Sequence, residues 1–326
     1  MHGSSGQVVS VTGPIAAADI GPTLAHEHLY CDLSVSSGRE DNVLTDSTRT
    51  VSELNHFRAA GGRTIIEATP EGIGRDPVKL RDISQASGVQ IVSGIALYVP
   101  CTYPPWVREA AGRPAFVSRI ADFFVRQIEA GEGGVRAGII GELTSHNQPG
   151  GGPETYRLEE IETAVFAAAA RAQQRTNVGI TTHASLGRGG HAQLDVLERA
   201  GADLSRICIG HCDAEWNQDS EKDLGYYLPI LRRGALCGFD LIGWSDFMPD
   251  DTRADRIAAL ARMGYSECLV LGTDTCRQSQ LRARGGRGYD YLWRSFLPRL
   301  RARGVTEAQI ESMLVAAPRR LMTGNR

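Results

Sequence analysis

Eight short apolar runs, each of strand length and most followed by a longer stretch of helical character, recur along the chain of 326 residues. They are TLAHEHL around Leu24, RTIIEAT around Ile65, VQIVSGIALYV around Ile91, RAGIIGEL around Ile139, VGITTHA around Ile180, RICIGHC around Ile207, ALCGFDLIG around Cys237 and CLVLGTDT around Leu269. Such alternation is the sequence form of repeated strand-helix units around a parallel sheet. Eight units in this length fit one α/β domain, a (β/α)8 TIM barrel, better than a doubly wound sheet with a second domain. Residues 13–326 are expected to form the barrel, behind an N-terminal tail at 1–12. No G-x-G-x-x-G follows a strand and no Walker A string occurs, so nucleotide-binding folds lose their usual support.

Two helices can be placed from pattern. Leu158, Ile161, Val165 and Ala168 recur at helical spacing. Thr306 with Gln309 forms a capping-box pattern ahead of a stripe made by Ile310, Met313 and Leu314. The Gly/Pro-rich NQPGGGPE between the fourth and fifth runs reads as a surface loop.

Composition limits the partners. The 35 Lys and Arg nearly balance 38 Asp and Glu, for a formal charge of -3, which gives no electrostatic reason to bind nucleic acid or an anionic membrane surface. No apolar run approaches the roughly 20 residues that span a bilayer. The N-terminus lacks the basic and apolar regions of a secretory signal. Seven cysteines, an odd number, mostly sit inside apolar runs, as reduced buried thiols would. A cytoplasmic protein acting on a small molecule is expected.

The polar residues that interrupt the apolar runs fall at the C-terminal ends of strands. His26 and His28 end the first, Glu142 the fourth, His183 the fifth, His211 the sixth and Asp274 the eighth. In a barrel this is the end where active sites form. His26 and His28, two apart on a strand, share a side, with Glu27 turned away. Any one of these groups alone could be a packed or ion-paired side chain. Five strand ends carrying metal-type ligands favour a metal site. Six ligands exceed the three of an open catalytic zinc, whereas two ions bridged by a carboxylate use them all and leave room for a bridging hydroxide. Zn2+ fits best, and Mn2+ or Co2+ also fit. Cys208 and Cys212 flank His211 but lack a second cysteine pair, so a thiolate ligand is not expected.

With these residues in place, the chain resembles the phosphotriesterase family of the amidohydrolase superfamily, from about Gly13 to Thr323. GPTLAHEHL is similar to the family's first-strand signature, TTHAS and IGHCD to its fifth and sixth strands, LGTD to its eighth, and GGRGYDYLWRSFLPRLRARGVTEAQIESMLVAAPRRLM to its C-terminal pattern. The resemblance implies a binuclear site in which His26, His28 and Asp274 hold the more buried ion and His183 and His211 the second. Many members bridge the ions with a carboxylated lysine. Glu142 stands at that position, as in the glutamate-bridged phosphotriesterase homology proteins. Asp274 is expected to accept the hydroxide's proton and pass it toward the leaving group, and the family's dimers imply a homodimer.

Substrate residues are less legible. Tyr98 matches a tyrosine that family lactonases place beside the site, but Leu241 stands where those lactonases carry an arginine. Members acting on phosphorylated sugar lactones use a lysine, an arginine and a tyrosine. Here Arg277 is kept, while Trp244 and Gln280 replace the other two. His146 and Trp244, with Phe247 and Met248, are expected in loops over the mouth. The resulting expectation is hydrolysis of a lactone or other carboxylic ester. The alternative is an N-acyl amide, with phosphotriester hydrolysis as a side activity. A non-catalytic metal- or ligand-binding barrel is the reading from another class.

Overall fold

The computed structural model describes residues 6–146, 152, 154–184, 188–214 and 224–323. Each apolar run supplies one strand of an eight-stranded parallel sheet. The strands are β1 (Thr23–Glu27), β2 (Thr64–Glu67), β3 (Gln90–Ile95), β4 (Ile139–Thr144), β5 (Ile180–His183), β6 (Ile207–Ile209), β7 (Leu236–Phe239) and β8 (Leu269–Leu271). They hydrogen-bond in chain order. The barrel closes where β8 returns to β1: Asp274 N donates to His26 O at 3.2 Å and His28 N to Thr275 O at 3.3 Å. Gly272 allows this approach, since a Cβ there would lie 3.1 Å from His26 O and from Asp240 Cβ. The fold is the TIM barrel.

Helices between the strands start and stop at sequence signals. Asp46 and Asp76 cap the helices Ser47–Ala59 and Pro77–Ser87, and Gly88, at φ 70°, ends the latter. The helix Glu160–Thr176 opens on a Glu159/Glu162 capping box and ends at Asn177 in the left-handed region. Its Val165 and Ala168 are buried, with Leu158 and Ile161 packed at the core's margin. At the C-terminus Thr306 and Gln309 form the expected box, and Ile310, Met313 and Leu314 are buried.

Two apolar layers result. A large core joins the strands' outer faces to the helices. A smaller cluster takes Ala25, Ile66, Val92, Ile139, Cys208, Leu236 and Val270 from seven of the strands and adds Val8, Ile20, Ala317, Leu321 and Met322. It fills the lumen and plugs its N-terminal end. Val8 belongs to a hairpin, Gln7–Ser10 paired with Gly13–Ala16, so part of the segment expected as a tail is paired and packed. The segment NQPGGGPE lies largely outside the described residues, as does His2. No helix among the described residues is long and apolar enough to cross a membrane.

Candidate metal centre

Strict strand alternation would turn His26 outward with Leu24, and Glu142 outward with Ile140, because both leucine and isoleucine belong to the outer core. The β1–β2 register shifts between Leu24 and Glu27, and the β4–β5 register between Ile140 and Leu143. Irregularities of this kind re-aim side chains beside active sites. Here they bring His26 and Glu142 to the mouth of the lumen. Gly141 permits the second: its φ is 155°, and a Cβ would meet Thr181 Cγ2 at 2.2 Å. His211 and Asp274 lie beyond β6 and β8 with φ of 54° and 43°, a region seldom adopted outside glycine and typical of functional sites.

All six sequence-identified groups converge. His26 Nε2 is 3.2 Å from Glu142 Oε2, and His28 Nε2 is 3.6 Å from Glu142 Oε1 and 3.3 Å from Asp274 Oδ1. Glu142 Oε2 also meets His183 Nδ1 at 3.0 Å, and that nitrogen is 2.9 Å from His211 Nε2. Ligand atoms of His26, His28 and Glu142 lie within 4.8 Å of one another, and so do those of Glu142, His183 and His211. Glu142 is common to both groups.

Neighbouring groups fix the imidazole tautomers. Thr69 Oγ1 donates to Glu67 Oε1 at 2.5 Å, so it accepts from His28 Nδ1 at 2.8 Å. Asp240 Oδ1 accepts from His211 Nδ1 at 2.7 Å and from His211 N at 2.8 Å. In both rings Nε2 is thereby left as a lone pair facing the cluster, the arrangement in which outer carboxylates orient metal-binding histidines. His26 is fully buried, and neither ring nitrogen makes a well-oriented hydrogen bond, although Nε2 is 3.2 Å from Glu142 Oε2 and Nδ1 is 3.5 Å from Asp240 Oδ2. An imidazole seldom stays buried with both nitrogens unmatched. A cation at Nε2 would match that nitrogen, with Asp240 Oδ2 facing Nδ1, and the two ligand groups that share Glu142 fit one ion each.

Charge agrees with that fit. Burial raises the Glu142 carboxyl, yet His183 and His26 hold it well below the usual range. Burial also opposes protonation of His26, but Asp240, Glu142 and Asp274 push it up to about 10. Asp274 is likewise lowered, against burial, by His28, His211 and His26. The carboxylates therefore favour positive charge on His26, His28 and His211, whereas burial and His211 push His183 down.

The substrate candidates occupy different settings. Tyr98 meets the His183 ring edge-on at 5.7 Å. Trp244 is buried, donates Nε1 to Thr273 O at 2.8 Å, and carries the guanidinium groups of Arg277 at 4.5 Å and Arg287 at 5.2 Å over its ring. Gln280 Oε1 accepts from Cys276 N and Arg277 N, each at 2.9 Å. His146 is engaged with the neighbouring helix: its ring stacks on Tyr156, and Nδ1 is 2.9 Å from Glu162 Oε2. Cys212 is buried, and burial raises its thiol far above the ordinary range, against thiolate ligation. His56 is exposed, and His191 packs on Tyr226.

Asp240, Glu67 and Thr69 were not identified from sequence. Asp240 carried a usable signal, since it directly follows β7 in GFDLIG, the position that marks the other ligands. Glu67 and Thr69 act through rotamer and register, which no spacing reveals.

A parallel barrel gathering four imidazoles and two carboxylates at its C-terminal end is the construction of a metal-dependent hydrolase. The chain belongs to the phosphotriesterase family, whose sequence profile matches residues 6–322. It is 34% identical over 300 residues to the phosphotriesterase homology protein of Escherichia coli K12, covering 91% of this chain and 96% of that one. It is 27% identical over 366 residues to the N-acetyltaurine hydrolase of Salmo salar, covering 99% of each. The solved structure of a mutant PTE-like lactonase from Deinococcus radiodurans superposes with a TM-score of 0.82 at 30% identity, covering 97% of this chain and 99% of that one.

Proposed function

We propose that the chain hydrolyses a lactone or other carboxylic ester with two divalent transition-metal ions, Zn2+ foremost, held by His26, His28, Glu142, His183, His211 and Asp274. The observation that carries this reading is Glu142, whose two oxygens serve both ligand groups. The bound ions would supply a water-derived nucleophile near neutral pH and a Lewis acid for the carbonyl oxygen. Glu142 spaces the two ligand groups and offsets their positive charge. His28 and His211 present fixed lone pairs because Thr69 and Asp240 hold their other nitrogens. Asp274 handles the proton. Its side chain is 13% exposed, against 3% for Glu142 and 1% for Asp240, so of these three carboxylates it reaches furthest toward an entering substrate. It is kept ionised, ready to accept a proton at its free oxygen and return it to the leaving group. Tyr98, beside His183, walls the cleft.

A second reading, an N-acyl amide with an anionic end, is favoured by the mouth-side cations. Arg277 and Arg287 both stand over Trp244, Arg287 with Nη2 on Thr273 O at 2.5 Å, and among the described residues neither forms an ion pair with a carboxylate. Such a pair could receive a carboxylate or sulfonate, and relatives named N-acetyltaurine hydrolase agree with that chemistry. Phosphotriester hydrolysis would be a side activity. Ranking lactones, aryl esters and N-acyl amino acids by kcat/KM separates the readings. Lactones or esters ahead support the first; N-acyl amino acids ahead, with the preference lost in Arg277→Ala, replace it with the second.

A further inference from the structure

The middle residue of the first-strand HEH motif has no place among the six ligands, yet it accepts four hydrogen bonds from the turn after β8. Glu27 is fully buried. Its Oε1 accepts from Thr273 N at 2.6 Å and Thr273 Oγ1 at 2.9 Å, and its Oε2 from Thr275 N at 2.9 Å and Thr273 Oγ1 at 2.8 Å. Between those two threonines stands Asp274, whose own N donates to His26 O. Three successive backbone N–H groups of the β8 turn are therefore held by His26 and Glu27. In return, His28 N donates to Thr275 O.

Asp274 sits at φ 43°, a backbone conformation that a side chain disfavours and that surrounding structure must impose. The imposing contacts are these. Without Glu27, two buried N–H groups and a hydroxyl would lose their acceptor, and the turn that carries Asp274 would keep only the bonds made by His26 O, His28 N, Trp244 Nε1 and Arg287 Nη2. Both carboxylate oxygens face a backbone N–H. A glutamine would thus have to set its NH2 against one of them and give up one anchor, so the anionic form is what both anchors require.

The geometry points to Glu27 as the positioning residue of Asp274: it clamps the Thr273–Asp274–Thr275 turn so that Asp274 Oδ1 stays beside His28 and His26. The clamp acts through Asp274 and does not touch substrate. It rests on the reading of Asp274 as a metal ligand, and its test separates the two.

Metal-stripped protein titrated with Co2+, followed by visible absorption, reads each ion's affinity without any substrate. Glu27→Gln should still take two Co2+, one of them at least about tenfold more weakly, within the range typical of outer carboxylates, while the other is unchanged. Thr273→Val, which keeps the backbone anchors and removes only the hydroxyl, should weaken the same ion by less, and it serves if Glu27→Gln does not fold. The double variant Glu27→Gln/Asp274→Asn should bind no more weakly than Asp274→Asn alone. Unchanged affinities in Glu27→Gln beside a weakened Asp274→Asn would overturn the clamp alone. Equal weakening of both ions, in step with a lower Tm, would reduce Glu27 to a structural residue and overturn it as well. Unchanged affinities in Asp274→Asn would overturn the ligand reading and the clamp with it.

Discussion

The two ends of the barrel both bury charge, and they treat it differently. At the N-terminal end Arg206, 2% exposed, bonds through Nη2 to Met322 O at 3.0 Å and through Nη1 to Asn177 Oδ1 at 2.6 Å, and Arg320 Nη2 reaches Gly234 O at 3.2 Å. These guanidinium groups stitch strand starts to the last helix. At the C-terminal end, imidazoles and carboxylates face one another, and neither nitrogen of the fully buried His26 makes a well-oriented hydrogen bond. At one end the guanidinium Nη groups tie strand starts to the last helix; at the other the Nε2 atoms of His26 and His28 face the shared carboxylate Glu142. The division between a stabilising bottom and a reactive top, general to this fold, is thus written in the bonding of individual atoms.

Variants at the two ends should separate accordingly. The largest effect is expected for Glu142→Ala, which removes the group common to both ligand sets: metal analysis should find fewer ions per chain, and no measurable turnover. Asp274→Asn should lower kcat by at least about a hundredfold, as removal of an acid-base group does. Near-normal turnover with metals still bound would exclude its proton role. Asp240→Ala should cost about 10–100-fold in metal affinity or activity, because His211 loses the acceptor that fixes its tautomer. At the opposite end, Arg206→Ala should lower stability by about 1–3 kcal/mol by leaving carbonyl oxygens unpaired, with kcat/KM per folded molecule unchanged. A loss of specific activity there would break the contrast between the ends.

The smallest effect is expected on the surface. Arg301 holds the Glu307 carboxylate below its ordinary range across a 2.6 Å contact. A depressed folded-state pKa contributes stability above the unfolded-state value, and that contribution is lost as pH falls through the folded-state value. Glu307→Gln should therefore change the unfolding midpoint slightly at neutral pH and not at all in strong acid, with solvent exposure keeping the neutral-pH effect small.

Sequence carried the barrel and its six convergent groups, because strand ends are marked twice, by where an apolar run stops and by which polar residue interrupts it. It did not carry the means of convergence. The HEH spacing predicts that His26 and His28 share a side, yet strict alternation from Leu24 would send His26 to the outer core; the register shift in β1 reconciles the two. The tautomers of His28 and His211 depend on Thr69 and Asp240, brought close by neighbouring strands. Glu27 reads as turned away from the mouth. It is in fact wedged under the β8 turn, a contact between residues 246 and 248 positions apart. His146 reads as a mouth residue; that its ring is also bound to the capping carboxylate Glu162, 16 residues away, is a pairing that periodicity does not specify.

We propose that these six groups hold two metal ions on which hydrolysis depends. Elemental analysis of the purified protein, coupled to an activity assay before and after chelation, tests it most directly. About two transition-metal ions per chain, with activity lost on chelation and restored by Zn2+, Mn2+ or Co2+, is the predicted result. A metal-free chain that remains fully active would contradict it.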